Sequence, residues 1–158
     1  MHRVSSMAIR PQQNLVERML PSAEDHELIV IEDDQVHSEA ISRALAKTKI
    51  RIPTHYAIDG GVALSHLLRL AGLGRSERAV LILDLCMPML DGIELLRHIR
   101  STPEFENATV FVFTGSEDPN LRAQAEEFGV DGYYLKSELT GLLDSLQQKV
   151  GLGNRVRS

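Results

Sequence analysis

A single cysteine, Cys86, excludes an internal disulfide framework, and none of the six histidines stands at a Cys/His spacing suited to zinc. The chain is therefore expected in the cytoplasm, where thiols stay reduced. Long apolar runs are missing too. Nowhere do about 18 apolar residues follow one another, and the N-terminal stretch interrupts its short apolar pairs with Arg, Gln, Asn and Glu. A membrane span and a cleaved leader are not expected. Clustered lysine and arginine are scarce. With a formal net charge of -5, a surface that grips nucleic acid through its phosphates is disfavoured, and the basic stretch Arg155 to Arg157 does not reverse this. Internal repeats and low-complexity tracts are also absent. What is present suffices for one domain: 158 residues, 43% of them hydrophobic, can close a single substantial core.

From Leu28 onward short apolar runs alternate with longer segments of helical period, the pattern of repeated strand-helix units around a parallel sheet. Five strands are expected, at Leu28–Glu32, Thr54–Ile58, Val80–Asp84, Thr109–Phe113 and Gly132–Leu135, with helices between them. The first helix starts near Gln35 with Asp34 as N-cap and carries Val36, Ala40, Ile41, Ala44 and Leu45 on one side. Asp91 before Gly92 can cap the third helix in the same way, and Ser101, Thr102 and Pro103 end it. In the last helix Leu139, Leu142, Leu143, Leu146 and Val150 recur at three- and four-residue steps, one apolar stripe that must lie on the sheet. Gly72 and Gly74 mark a loop before the third strand. Residues 1–26 lack strand signals, although Leu15, Val16, Met19 and Leu20 can form a short amphipathic turn before Pro21. That stretch reads equally as a flexible extension and as a helix that contacts a second copy. The folded domain is expected at residues 27–150, with a flexible basic tail at 151–158.

Polar residues close the apolar strands. Glu32 and Asp33 follow LIVI, Asp84 follows VLIL, Thr114 follows VFVF, and Lys136 follows YYL. In an open parallel sheet, ligands bind outside the carboxyl ends of the strands, so all five side chains are expected to meet in one crevice. Two carboxylates about 4 Å apart repel by roughly 4 kcal/mol at an effective dielectric of about 20, so three of them need a counter-charge. A bound cation supplies it best. The donors are hard oxygens without imidazole or thiolate, which favours Mg2+ over zinc. Asp33 and Asp84 are the expected carboxylate ligands and the Cys86 backbone carbonyl a third, with Glu32 acting through a water molecule. An ionised Asp84 beside that cation is also a nucleophile able to form an acyl phosphate. Lys136 can neutralise the transferring phosphoryl oxygens, the Thr114 hydroxyl can donate to one of them, and Gly115 leaves room for the group to enter.

Each residue alone has a plainer use. An acidic pair at a strand end is often only a helix cap, a threonine there is usually structural, and a lysine there is usually solvated. His37, His66 and His98 read as helix-surface or boundary residues with no shared site. It is the conjunction of five such residues, in this order, that points to function.

With those residues in place, the chain resembles the receiver domains of bacterial two-component response regulators over about Glu27 to Val150. The likeness rests on IEDD at Ile31 to Asp34, AIDGGVAL at Ala57 to Leu64, LDLCMPMLDG at Leu83 to Gly92, FTG at Phe113 to Gly115 and GYYLK at Gly132 to Lys136. It implies an α/β, doubly wound, five-stranded parallel sheet of flavodoxin-like order 2-1-3-4-5, the (βα)5 receiver fold. It also implies roles. Asp84 corresponds to the phosphoacceptor, Glu32 and Asp33 to the acidic metal-site pair with Mg2+ as cofactor, Thr114 to the switch hydroxyl, Lys136 to the phosphate-pairing lysine and Tyr133 to the switch aromatic. Tyr134 alternates with Tyr133, so only one of the two can face the crevice. The implied partners are a sensor histidine kinase and a downstream protein target or phosphotransfer protein, reached through the face of the fourth helix, fifth strand and fifth helix.

One position departs from the pattern. Receivers commonly carry a proline after the lysine, reached through a cis peptide, whereas this chain has Ser137. A cis bond before a non-proline residue costs about 2.5–4 kcal/mol, so a trans peptide is expected. The Lys-Ser step is similar to stand-alone regulators paired with bacterial phytochromes. Because the chain ends soon after Val150, the receiver is expected to be its own output, through protein contacts that include homodimerisation, and not an enzyme. Two other functions compete with this reading. A metal-dependent phosphohydrolase with an aspartate nucleophile usually shows a second aspartate two residues on, where this chain has Cys86. A degenerate receiver would act as an interaction module without phosphorylation, and the presence of all five site residues speaks against it.

Overall fold

The computed structural model describes residues 26–154 apart from Met89, with the backbone alone for Leu90 and residues 152–154. The expectations for residues 1–25 and 155–158 lie outside the described residues. Five strands, β1 (Glu27–Ile31), β2 (Thr54–Ala57), β3 (Ala79–Leu83), β4 (Thr109–Thr114) and β5 (Gly132–Leu135), form one sheet in the order β2-β1-β3-β4-β5. Every pairing in it is parallel, as the alternation of strands and helices implied. The boundaries differ by single residues from those expected. Glu32 and Asp84 fall just beyond β1 and β3, Ile58 lies outside β2, and Thr114 is the last residue of β4.

The helices are α1 (Gln35–Ala46), α2 (Gly60–Gly72), α3 (Gly92–Ser101), α4 (Pro119–Glu127) and α5 (Leu139–Asn154). Aspartate begins four of them. The side chains of Asp34, Asp59, Asp91 and Asp118 accept from backbone N–H groups of the first turns of α1 to α4, satisfying donors that have no partner within the helix. Thr102 closes α3 as expected, whereas Gly72 belongs to the last turn of α2 and the chain reverses at Gly74, whose φ of 68° suits glycine.

Because helices cover both faces of the sheet, its central strands are apolar throughout instead of alternating with polar residues. Ile29, Ile31, Leu81, Leu83, Val110 and Val112 face one layer with Leu67 and Leu70 of α2, Leu96 and Ile99 of α3 and Ala125 of α4. Leu28, Val30, Val80, Ile82, Phe111 and Phe113 face the other, with Ile41 of α1 and Leu142, Leu146 and Val150 of α5. Burying a leucine such as Leu142 or Leu146 contributes about 2 kcal/mol. The stripe expected on α5 is therefore its inner face. The stripe expected on α1 is only half right: Ile41 is buried and Ala44 and Leu45 are partly covered, but Val36 and Ala40 are exposed. Val36 stands in the first turn, just past its cap, where the helix has not yet settled onto the sheet. Among the described residues no helix is long and apolar enough to cross a membrane.

At the amino end of β1 the buried carboxylate of Glu27 meets Arg69 Nη2 at 2.6 Å, His55 Nε2 at 3.1 Å and Arg75 Nη1 at 3.3 Å. The His55 ring stacks on His66 with centroids 4.6 Å apart. Burial alone would raise the Glu27 carboxyl, but the hydrogen bond and charge of Arg69, with His55 and Arg75, outweigh it and leave it below its ordinary value of 4.5. Burial, with His55 and Arg69 nearby, holds His66 below its ordinary 6.5. Both shifts act in the same direction. As pH falls below 6.5 the unfolded chain protonates at His66 before the folded one does, and further down the unfolded chain protonates at Glu27 first. Stability from both groups is present near neutrality and is lost in acid. Denaturant midpoints measured between about pH 6.5 and 5 should fall in the parent protein and fall less in His66→Phe, which keeps the stack and removes the titration. Equal slopes would count against this account.

Candidate functional site

Strand register assembles the site. Ile31 pairs with Leu83, so Glu32 and Asp84 emerge side by side, and the Asp84 N–H donates to the Ile31 carbonyl at 3.1 Å. Thr114 pairs with Leu135, and the Lys136 N–H extends that ladder to the Thr114 carbonyl at 2.9 Å. Since side chains alternate along a strand, Glu32, Asp84 and Lys136 continue the column of Val30, Ile82 and Tyr134, while Thr114 and Tyr133 continue the opposite column with Val112. Glu32, Asp84 and Lys136 thus lie on one lip of the sheet and the hydroxyl and Tyr133 on the other.

Carboxylate oxygens of Glu32, Asp33 and Asp84 lie within 4.8 Å of one another. Each ionised pair at that spacing costs about 3–4 kcal/mol at an effective dielectric of about 20. Glu32 and Asp84 are buried and Asp33 is exposed. The Lys136 ammonium donates a hydrogen bond to Glu32 and lies 3.6 Å from Asp84 Oδ2, with the Phe113 ring centroid 4.9 Å from it. Burial pushes the Glu32 carboxyl up and the charge of Asp84 adds to that, against the pull of Lys136 and of the Asp34 N–H. Three acids against one ammonium leave an excess of negative charge on hard oxygen donors, a set that fits a divalent cation.

Asp84 is oriented from behind. Its Oδ1 accepts from the Cys86 N–H at 2.9 Å, and Cys86–Met87 pairs with Leu90–Asp91 in a small antiparallel ladder that the sequence did not announce. The Thr114 hydroxyl donates to the Cys86 sulfur at 3.5 Å and accepts from the Ser116 N–H at 3.3 Å. Among the described residues no hydrogen bond joins Thr114 to Asp84, so the structure brings the four charged residues together and keeps the hydroxyl one contact away. Tyr133 packs against the layer beneath α2 to α4, and Tyr134 packs in the opposite layer and bonds Ser145, so the two tyrosines divide as expected. The Tyr133 hydroxyl is buried without a hydrogen-bond partner among the described residues, and Arg122 of α4 stacks 5.1 Å from the ring centroid. Burial, then the nearby Cys86, raises its pKa, with Arg122 pulling the other way. None of the described peptide bonds is cis, so Lys136–Ser137 is trans as expected.

Residues 28–147 match the response regulator receiver domain. The chain belongs to this family. Receiver relatives and solved structures agree with it at low identity. The two-component response regulator ORR3 of Oryza sativa subsp. indica is 26% identical over 119 residues, covering 75% of this chain and 85% of ORR3. The bacteriophytochrome response regulator RtBRR is 27% identical with a TM-score of 0.64, covering 77% of this chain and 76% of that one. The Mn2+-bound form of response regulator Rcp1, 22% identical with a TM-score of 0.64 over 77% of this chain and 91% of that one, shares the fold.

Within the receiver, one residue set aside by the sequence reading lies at the site. His37, expected only on a helix surface, has its Nδ1 3.3 Å from Lys136 Nζ and 3.6 Å from both Glu32 Oε1 and Asp34 Oδ2. Its place in the first turn of α1, where side chains lean back toward the helix start, is the signal that could have found it. Gly92 supports the site by close approach: a Cβ there would sit 2.6 Å from the Leu85 Cα and 3.1 Å from the Asp84 carbonyl oxygen. Gly92→Ala should therefore cost about 1–3 kcal/mol, despite the better helix propensity of alanine, and displace the backbone that carries Asp84. Chemical denaturation checks this. A variant as stable as the parent would show that the loop yields freely.

Proposed function

We propose that this receiver takes a phosphoryl group onto Asp84 from a sensor histidine kinase, with Mg2+ as cofactor. The observation that carries the reading is the meeting of Glu32, Asp33 and Asp84 within 4.8 Å, with the Lys136 ammonium 3.6 Å from Asp84. An Asp84 carboxylate oxygen attacks the phosphorus of a phosphohistidine, the P–N bond breaks, and the imidazole nitrogen leaves with the electron pair. Asp33, Asp84 and the Cys86 backbone carbonyl would hold the metal, with Glu32 reaching it through water. The ion when bound supplies charge neutralisation at the phosphoryl oxygens. Lys136 then exchanges Glu32 for a phosphoryl oxygen, which adds to that neutralisation.

Phosphorylation adds about 1.5–2 negative charges beside Thr114. The Thr114 hydroxyl leaves the Cys86 sulfur for a phosphoryl oxygen, Tyr133 follows, and Arg122, stacked on that ring, carries the change to α4. The face of α4, β5 and α5 thereby shifts toward a state that binds a downstream protein, a phosphotransfer protein or a second copy. Similarity to RtBRR supports a bacterial phytochrome as the kinase. The receiver works in this reading as a cytoplasmic phosphoacceptor with at most self-phosphorylation and slow autodephosphorylation of its own. Incubation with phosphoramidate or acetyl phosphate and Mg2+, followed by intact mass, tests it: one added phosphoryl group is expected. No addition would favour an interaction module that works without phosphorylation.

A further inference from the structure

We propose that His37 is a positioning residue for Lys136, an inference that rests on the phosphoacceptor reading above. The contact assigns the chemistry of the ring. An ammonium can only donate, so a hydrogen bond across the 3.3 Å from Lys136 Nζ to His37 Nδ1 uses the lone pair of the neutral ring that carries its proton on Nε2. A protonated imidazole would instead turn a like charge toward Lys136. The Glu32 and Asp34 oxygens face the same nitrogen at 3.6 Å, beyond hydrogen-bond range, so the lysine is its hydrogen-bond partner.

Lys136 needs such a holder because its four-carbon stem is flexible and its ammonium is shared between Glu32 and Asp84. Glu32 is an anion and competes with an incoming phosphoryl group for the ammonium. His37 is a neutral acceptor and does not. Fixed in the first turn of α1, it keeps the ammonium, which also lies over the Phe113 ring, at the mouth of the site while its anionic partner changes.

The test compares His37→Ala, which removes the acceptor, with His37→Asn, whose side-chain carbonyl can stand near the place of Nδ1. In uptake from phosphoramidate with Mg2+, His37→Ala should be slower by about three- to tenfold and His37→Asn within about twofold of the parent. Unfolding midpoints should not change. The 15N resonance of the Lys136 ammonium, followed without metal or phosphodonor, should show faster exchange with water in His37→Ala and near-parental exchange in His37→Asn. Parental uptake and parental exchange in His37→Ala would overturn the proposal, as would an asparagine variant impaired as much as alanine. A parent protein that takes up no phosphoryl group overturns the phosphoacceptor reading itself, and the role of His37 in transfer with it.

Discussion

Asp84→Asn and Asp84→Ala should take up no phosphoryl group under conditions in which the parent protein becomes fully labelled. The loss is expected to be complete because an amide oxygen is a poor nucleophile and a methyl group is none. It should not come from unfolding. In Asp84→Asn the side-chain amide would still present an oxygen to the Cys86 N–H, and removing its charge relieves two repulsions of about 3–4 kcal/mol each within the 4.8 Å cluster, more than the attraction of about 4–5 kcal/mol to Lys136 at 3.6 Å that is lost with it. Denaturant midpoints at or above that of the parent are therefore predicted alongside the loss of uptake. Divalent-cation affinity should fall, since one carboxylate ligand is gone. Peptide mapping of the labelled parent should place the group on Asp84. A stable adduct on Asp33 or any other residue, or phosphodonor-dependent partner binding that survives in Asp84→Ala, would sink the reading.

The largest effect on stability is expected at the other end of β1. Glu27→Ala removes the carboxylate that faces Arg69, His55 and Arg75, and of these the Arg75 side chain is only 10% exposed. Removing one partner of a buried ion pair typically costs about 3–5 kcal/mol. The more open positions of Arg69 and His55 put the expected cost near the lower end, about 3 kcal/mol. Phosphoryl uptake per folded molecule should remain, because Glu27 lies roughly 17 Å along the strand direction from Glu32. A variant that keeps the parental midpoint would show that these charges are held no better than in water. A variant that folds but no longer takes up phosphoryl groups would mean that the two ends of the sheet are coupled.

The strands were readable because a parallel sheet covered on both faces needs uninterrupted apolar residues, and LIVI, VLIL and VFVF supply them. The site was readable for a topological reason: whatever follows such runs must gather at one edge. Local chemistry revealed the caps Asp34 and Asp91, whose side chains bond residues only two positions on. Other features had no such local sign. Periodicity put Val36 and Ala40 on the inner side of α1, but a stripe does not say where along a helix the sheet begins to cover it. His37 looked like a surface residue because its partner Lys136 is 99 positions away. The thiol of Cys86 as the resting acceptor for Thr114 depends on two strands brought together from 28 positions apart.

The order of apolar and polar segments thus sufficed for a parallel sheet of strand-helix units and for the identity of the five residues around the crevice, since both follow from short-range patterns and one packing rule, while the strand order was implied only by the resemblance to receivers. Which of those residues touch, which one is held back, and which unsuspected side chains join them emerged only when distant segments were in contact. Hydrogen bonds and ion pairs act over a few ångströms, and the chain carries no local record of what folding will bring within that range.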